Sequence, residues 1–264
     1  PVEKYNYILL SPINRITRLC IQMGLYEKSK KAENQGIKYN YEDPDDLENQ
    51  IKNIMDLGRL YTLNEDYASA KEQFDSAFEI LKQMECYPRS YDERSLLYLR
   101  QQITSGLSNV YYSKGDIASA LDSSLQEKQL LLQTVEVDTR AYPEVVIYDV
   151  QQLISVNTYI AYCYKDLKDY QNALEYASEA LVQCTEATKT WGLLELADCY
   201  SIADSAMALI LCDMGDFEKA LTYCRNFMNI CEMLPEYLKT KEGKEKYKQM
   251  IELHNLIQET VTDT

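Results

Sequence analysis

Residues 57–77 read LGRLYTLNEDYASAKEQFDSA, and this stretch predicts two helical segments joined by a short turn. Gly58 precedes Tyr61 by three positions, the turn ends at Asp66, and Ala70 lies twelve positions after Gly58. The same spacing returns around three further aspartates, Asp116, Asp169 and Asp216. A weaker first copy contains Thr17, Cys20, Gly24, Tyr26 and Ser29, with Leu25 in place of the aspartate. The sequence therefore predicts a series of repeated helical hairpins.

Each copy places a small residue on its first helix and another small residue twelve positions later on its second helix. Two small side chains allow antiparallel helices to approach closely at one crossing point. The aspartate after the turn is suited to cap the second helix, because its carboxylate accepts hydrogen bonds from the free N–H groups there. The pairs expected in contact are Thr17–Ser29, Gly58–Ala70, Ser108–Ala120, Ala161–Ala173 and Ala208–Ala220.

With these residues the chain resembles tetratricopeptide-repeat (TPR) proteins. The pattern of that family combines a small residue on the first helix, an aromatic residue three positions later, a Gly-Asp-Tyr-like turn and an alanine on the second helix. The resemblance covers roughly residues 12–232. It implies an all-α fold, an α-solenoid of about five helical hairpins plus a C-terminal capping helix. The units are long, with 50 residues from Asp66 to Asp116 against a typical 34. Long units resemble the TPR domains of bacterial signalling proteins and transcription regulators.

We predict a single superhelical domain over residues 1–264. Because the sequence has no initiating Met, we interpret it as a fragment of a longer chain. Polar segments at 136–141 and 188–190 are expected to separate hairpins, and Ser90 with Glu93 resembles a capping box. The final helix is expected to begin at Pro235. The predicted repeats are 12–40, 44–84, 91–134, 143–185 and 191–233, followed by the capping helix 235–258.

The composition fits a globular helical protein, with 46% hydrophobic residues but only 8 glycines and 6 prolines. A net charge of −15 disfavours direct binding of nucleic acid or of an anionic membrane surface. The eight cysteines form no CxxC pair, and most lie inside predicted helices, where a thiol behaves as a small hydrophobic group. Unpaired cysteines favour the cytoplasm, and a periplasmic sensor domain stays open as an alternative.

The sequence contains no recognisable catalytic constellation. His254 is the single histidine, and the motifs HExxH, GxGxxG, GxxxxGK[ST] and GxSxG are absent. The adjacent carboxylates Asp45 and Asp46 lie at a predicted helix start, where capping explains them. Glu195 and Asp198 are expected on a solvated helix face. We therefore predict a protein that is not an enzyme and that uses no cofactor and no metal.

In the TPR arrangement the first helices of the hairpins line a concave groove. Tyr112 and Tyr162 are expected there as exposed amphipathic contacts, and Arg18 with Arg59 would bind a carboxylate. The N-terminal half of the predicted groove is basic in a chain of net charge −15, and it would therefore attract an acidic peptide. The carboxylate clamp of co-chaperone TPR domains is not reproduced, because both arginines stand where that pattern has asparagine. The residues expected in the groove are Asn14, Arg18, Lys52, Arg59, Gln102, Ser105, Asn109, Tyr112, Thr158, Tyr162, Lys165 and Ser205.

The leading hypothesis is a protein- or peptide-interaction module that holds a partner segment in this groove. Its expected setting is the sensory or regulatory domain of a bacterial signalling protein, such as a two-component sensor or a TPR regulator. A structural adaptor that uses its outer face for homo-oligomerisation is the second hypothesis. An all-α enzyme, such as an α/α-toroid glycosidase, is a remote third, because neither a clustered acid pair nor enough helices are present.

Overall fold

The structure, a computed structural model, describes residues 47–86 and 91–262. All regular secondary structure in these residues is helical, as the sequence predicted. The predicted hairpin at 12–40 lies outside the described residues. The helices are α1 (Leu47–Leu63), α2 (Tyr67–Glu85), α3 (Glu93–Lys114), α4 (Ile117–Ala141), α5 (Val146–Asp166), α6 (Tyr170–Trp191), α7 (Ala197–Asp213), α8 (Phe217–Met233) and α9 (Lys241–Thr262), with a short 3-10 helix at Tyr237–Lys239.

Four hairpins, α1–α2, α3–α4, α5–α6 and α7–α8, share one turn geometry. The N–H of Asp66 donates to the carbonyl of Tyr61 at 2.9 Å, and the N–H of Glu65 donates to Thr62 at 3.0 Å. These two bonds form a Schellman motif, which satisfies the last carbonyls of the first helix. The same two bonds recur at the other three turns. The residue before each aspartate has a left-handed backbone: Glu65 (φ 62°), Gly115 (83°), Lys168 (64°) and Gly215 (81°).

The predicted aspartate caps are confirmed. Each carboxylate accepts a hydrogen bond from the backbone N–H three residues later, which satisfies a free donor at the start of the second helix. The aspartate thus ends one helix through its N–H and begins the next through its side chain. The donor–acceptor distances are 3.2 Å for Asp66 and Asp169 and 3.3 Å for Asp116 and Asp216.

The small residues predicted to meet at the helix crossings are buried. Gly58 and Ser108 are buried on α1 and α3, and the alanines on the other helices have no exposed surface. The Ser108 hydroxyl donates to the carbonyl of Ala120 on the facing helix at 3.0 Å. This bond shows directly that the two positions meet.

A second pairing at the crossings was not predicted. The small residue on the first helix also faces the residue eight positions after the cap aspartate. In the first hairpin a Cβ on Gly58 would lie 2.8 Å from the Phe74 ring, and in the second the Ser108 and Ser124 hydroxyls are 2.6 Å apart. The equivalent pairs later in the chain are Ala161–Ala177 and Ala208–Cys224, and each pair lies within one buried cluster.

Phe74 is the large member of these pairs, and it is fully buried. Its ring also contacts Gly106 on α3, where an added Cβ would overlap the ring. Glycine on both sides therefore makes the space that the ring fills. Phe74 links the α1–α2 hairpin to α3 in a core that includes Leu81 and Ile103.

The chain divides into two compact units, one ending at Leu130 and the other beginning at Leu131, within α4. The core of the first unit contains Ile51, Phe74 and Leu99. The core of the second unit is made of smaller side chains, among them many alanines and cysteines. The predicted single domain stays a prediction.

Several predicted helix ends are wrong. The polar segment 136–141 continues α4, since Asp138 is buried and Arg140 pairs with Glu136 along the helix. Residues 188–190 likewise continue α6, which ends at Trp191 and is followed by Gly192 with a φ of 90°. Charged side chains three or four positions apart pair along a helix, as Glu136 does with Arg140 and Glu186 with Lys189, so polarity alone does not end a helix. Helix α7 therefore begins at Ala197 rather than at Trp191.

Helix α3 is capped by Asp92, whose carboxylate accepts the N–H of Ser95 at 2.8 Å. The backbone N–H of Ser95 is the main cause that holds the pKa of Asp92 below its ordinary value. The predicted cap, Ser90, lies outside the described residues.

The C-terminal segment is attached through Asp198, which was predicted to be on a solvated face. The Tyr237 hydroxyl donates to its carboxylate at 2.6 Å, and the Lys246 ammonium lies 2.8 Å from the same oxygen. These contacts join the 3-10 helix and α9 to the first turn of α7. Helix α9 begins at Lys241, six residues after Pro235, because the 3-10 helix intervenes.

Substituting Glu65→Gly should raise the free energy of unfolding by about 0.5–1 kcal/mol, because glycine adopts a left-handed backbone without the strain of a side chain. Glu72→Gly, at an exposed position inside α2, should instead lower it by about 1 kcal/mol. Urea unfolding of both variants measures the difference. Destabilisation by both would contradict the turn assignment.

Gly106→Ala should destabilise the first unit despite a gain in helix propensity of about 1 kcal/mol. The overlap with Phe74 costs about 1–3 kcal/mol and outweighs that gain. Phe74→Leu should relieve the overlap, so the double variant should lose less stability than the two single variants summed. Additive losses in urea unfolding would show that the ring does not control the position.

Candidate functional site

Residues predicted for the groove lie on α1 and α3, the first helices of the two hairpins in the first unit. Gln102, Ser105, Asn109 and Tyr112 follow one another at spacings of three and four along α3, which places them on one helix face. Asn109 is exposed, and the other three are half-buried. Asn14 and Arg18 lie outside the described residues.

Arg59 on α1 and Gln102 on α3 are brought together. Arg59 Nη2 donates to Gln102 Oε1 at 3.2 Å, and Arg59 Nη1 donates to Asp56 Oδ1 at 2.7 Å. The Arg59 side chain keeps 42% of its surface exposed. It is therefore oriented by two neighbours and still reaches solvent.

The hydrogen bonds continue from this surface into the interior. Gln102 Nε2 donates to Gln101 Oε1 at 2.9 Å, and Gln101 Nε2 donates to Glu127 Oε1 at 2.9 Å. Burial raises the pKa of Glu127, although hydrogen bonds from Gln101 and Ser105 act in the opposite direction. Two glutamines thus connect the exposed arginine to a buried carboxyl on α4. We call Arg59, Gln102, Gln101 and Glu127 the polar relay.

The basic side chains on α1 are each paired with a carboxylate. The Lys52 ammonium lies 2.5 Å from Glu48 one turn earlier, and Arg59 is paired with Asp56. Four charges of alternating sign therefore follow one another along α1. Neither of these two carboxylates was among the residues predicted for the groove. The attraction of an acidic peptide to the basic half of the predicted groove stays a prediction, since Arg18 lies outside the described residues.

The residues predicted on α5 are more enclosed than expected. Thr158 is 2% exposed and donates to the carbonyl of Ile154 at 2.9 Å, so it is not displayed in a groove. Tyr162 is half-buried beside the cluster of Met207 and Ile210 on α7, and burial raises its pKa to about 12. The reason is that α7 packs directly against this part of α5.

Lys165 and Ser205 also have partners within the second unit. The Lys165 ammonium lies 2.8 Å from Asp166 and 3.6 Å from Asp213. Burial acts to lower the pKa of Lys165, but the hydrogen bonds and charges of these two carboxylates outweigh it and raise the pKa. Ser205 donates to the carbonyl of Ser201 at 2.7 Å. Among the predicted site residues that the structure describes, those on α1 and α3 are assembled around an open surface.

The described residues contain no group of three or more His, Cys, Asp or Glu side chains arranged to hold a metal ion. Within the same part of the chain, no helix has the length and apolar character needed to cross a membrane. His254 is half-buried on α9.

Comparison with known proteins identifies the repeat. Residues 156–181 match the family model of the tetratricopeptide repeat. The chain is similar in structure to a STAND signal-transduction ATPase with a tetratricopeptide repeat sensor from Pyrococcus horikoshii, with 18% identity and a TM-score of 0.64 over 92% of this chain and 33% of that one. The chain folds as a tetratricopeptide-repeat protein. A search of curated proteins gives no match.

Two further structures share this TPR fold. RapI in its apo form is 12% identical, with a TM-score of 0.59 over 94% of this chain and 80% of that one. The TPR-like repeats of a kinesin light chain protein from Podosopora anserina are 14% identical, with a TM-score of 0.52 over 86% and 96%. The chain spans about a third of the length of the STAND protein. At these identities the similarity shows the fold alone.

The repeat pattern of the sequence did not reveal the inner half of the relay, Gln101 and Glu127. Gln101 and Glu127 are 4% and 8% exposed, although their residue types are usually found at the surface. Gln101-Gln102 is a pair in the sequence, but adjacent helix residues point in different directions. Only the packing of α4 against α3 shows that Gln101 meets a carboxyl.

In the unsubstituted chain, ionisation of Glu127 should lower the free energy of unfolding as the pH rises. The Glu127→Gln variant should lack this decrease. A carboxyl whose pKa is raised in the folded state stabilises the fold below its ordinary pKa of 4.5, and this contribution is lost as the pH rises through the folded-state pKa. The amide cannot lose a proton. Urea unfolding at several pH values between 4 and 8 should therefore show a flatter profile for the variant.

Glu72→Gln is the matched control, since Glu72 is exposed on α2 in the same unit. Its pH profile should follow that of the unsubstituted chain. If Glu127→Gln also follows the unsubstituted chain, Glu127 is not held in a buried environment.

Proposed function

We propose that this TPR protein is a non-catalytic interaction module, and that the face of α3 carrying Gln102, Asn109 and Tyr112, together with Arg59 on α1, binds an extended segment of a partner protein. The relay supports this proposal most directly. It orients a half-exposed arginine and glutamine by hydrogen bonds before any partner arrives. Groups that are ordered in advance lose less entropy on binding.

The relay leaves donors for a ligand. An arginine has five N–H donors, and an amide nitrogen has two. Arg59 uses one donor toward Asp56 and one toward Gln102, and Gln102 uses one toward Gln101. The remaining donors suit the backbone carbonyls of an extended segment, and the ring of Tyr112 offers an apolar surface with a polar tip.

An acidic side chain in the partner would form its ion pair with Arg59 by replacing Asp56. This exchange gains little net charge attraction, because one carboxylate takes the place of another. We therefore propose that backbone hydrogen bonds carry most of the affinity and that acidic residues of the partner add selectivity. Weak dependence of the affinity on salt would agree with this order of importance.

We further propose a sensory or regulatory role within a larger bacterial signalling protein. The long repeat unit supports this setting, as does the similarity in fold to a protein that has a tetratricopeptide repeat sensor. In such a role the module would sense a partner by binding it, and the bound state would change the activity of a second domain.

A homo-oligomeric adaptor is the second candidate, and it is favoured by exposed apolar side chains in the second unit. Met233 and Leu256 are 70% and 62% exposed on α8 and α9, and Tyr148 is 62% exposed on α5. Multi-angle light scattering across a concentration series distinguishes the two. A monomer agrees with the interaction module, whereas a stable dimer favours the adaptor.

Asn109→Trp should reduce the affinity for peptides selected on the unsubstituted protein from a random-peptide phage library by at least about tenfold. Asn109 is exposed, so the indole should cover the binding face without unfolding the chain. Titration calorimetry with the synthesised peptides gives the affinity, and circular dichroism gives the melting temperature.

Gln126→Trp provides the matched control, because Gln126 is exposed on the second helix of the same hairpin. Peptide affinity should be unchanged in this variant. Equal losses in both variants, or a loss only in Gln126→Trp, would place the binding surface elsewhere.

A further inference from the structure

The second unit contains a cavity of about 400 Å³ that the proposed function does not use. It lies between α6, α7 and α8, and Asp204 and Tyr200 line it from α7. Helix α6 contributes Leu181 and Thr185. Helix α8 contributes Asn226, Asn229 and Ile230. A volume of this size lies within the range of small-molecule binding sites.

Asp204 is the unusual residue of this cavity. It is 2% exposed, and its Oδ2 atom has no hydrogen-bond partner in the described part of the chain. Its neighbours on α7 include Ala203, Ala206 and Met207, which are buried apolar residues. A buried carboxyl oxygen without a partner destabilises a fold by its desolvation cost. Such a residue is expected where a ligand supplies the missing partner.

The electrostatics of the cavity suit a cation. Among the described residues that line it, none carries a positive charge. Cys184 on α6 and Cys224 on α8 are the titratable groups that interact with Asp204 from the neighbouring helices, and burial raises the pKa of both thiols. They are therefore neutral at pH 7. Burial also raises the pKa of Asp204 to about 7, so a nearby cation would shift it toward the carboxylate.

The remaining lining defines the shape of a ligand. Leu181 and Ile230 are half-buried aliphatic walls on opposite helices. Tyr200 donates a long hydrogen bond of 3.5 Å to Thr185 Oγ1. Asn226 and Asn229 are exposed, which places polar groups where the cavity meets solvent. A ligand that fits has a charged end, a short apolar stem and a polar or solvated second end.

We propose that this cavity binds a primary ammonium group on a short aliphatic stem, with the Asp204 carboxylate accepting hydrogen bonds from the ammonium and with Leu181 and Ile230 flanking the stem. Both a free alkylamine and the lysine side chain of a partner peptide have this chemistry. The site lies on helices other than those of the polar relay, and it stands whether or not the relay face binds a peptide. The net charge of −15 attracts cations from a distance.

Titration calorimetry on the full chain tests this site with two pairs of ligands. n-Pentylamine should bind and n-pentanol should not, because only the amine carries the charge. A blocked Gly-Lys-Gly peptide should bind if the source is a lysine side chain, and its acetyl-lysine counterpart should not. Binding of the free amine alone assigns the site to small amines. No binding by either amine would overturn the proposal.

Asp204→Asn should reduce the amine affinity by at least about tenfold, and the variant should fold because it removes an unpaired buried charge. Asn229→Trp, at an exposed position, should block the cavity mouth and so reduce the amine affinity by a second, independent route. Glu218→Gln removes one exposed charge on α8 and should bind as the unsubstituted chain does. Equal binding by all variants would mean that the amine is attracted by net charge only and would overturn the site.

Proton release gives a readout that a merely structural role of Asp204 would not change. At pH 6 the carboxyl is mostly protonated, because burial raises its pKa to about 7. Binding of an ammonium should therefore release close to one proton at pH 6 and almost none at pH 8.5. Calorimetry in buffers of different ionisation enthalpy measures this number. The same heat in all buffers at pH 6 would contradict contact between the ammonium and Asp204.

Discussion

The close approach of two helices at each crossing is the constraint on which the rest of the structure depends. Its geometry is set by a pair of side chains that must fit together, one on each helix of the hairpin. Gly58 with Phe74 and Ser108 with Ser124 show two solutions, one by unequal volumes and one by a hydrogen bond. Protein interiors are packed densely enough that a change in one member must be matched by the other.

The turn makes the same crossing possible four times. A left-handed residue ends the first helix, and the aspartate after it satisfies backbone groups of both helices. With the two helices joined at a fixed angle, the first helices of the hairpins hold Arg59 and Gln102 within hydrogen-bond distance. The proposed binding face is thus a consequence of the repeat, and its chemistry comes from side chains that the repeat leaves free to vary.

The crossings, caps and hairpins could be predicted from the sequence because they rest on local spacing. Asp66, Asp116, Asp169 and Asp216 each lie between two helices at a constant distance from small residues. Helix ends without such a signal were predicted poorly. Residues 136–141 were expected to be a loop from their polarity, but burial of Asp138 and the Glu136–Arg140 pair keep them helical.

Site residues were harder to predict because exposure depends on neighbouring helices. The register placed Thr158 and Tyr162 in a groove, yet α7 packs against that part of α5. The same register gave no sign of Glu127 or Asp204, whose importance comes from burial. An acidic residue in an apolar helix is the one available signal, and the stretch around Asp204, SIADSAMALIL, contains it.

A double-mutant cycle at Ser108 and Ser124 tests the central claim that the paired side chains act as a unit. Each of Ser108→Ala and Ser124→Ala should lower the free energy of unfolding by about 1 kcal/mol, because the hydrogen bond between the two buried hydroxyls is lost. The double variant should lose less than the sum, since the Ala161–Ala177 pair shows that two alanines fit this crossing. A loss equal to or larger than the sum would contradict the account.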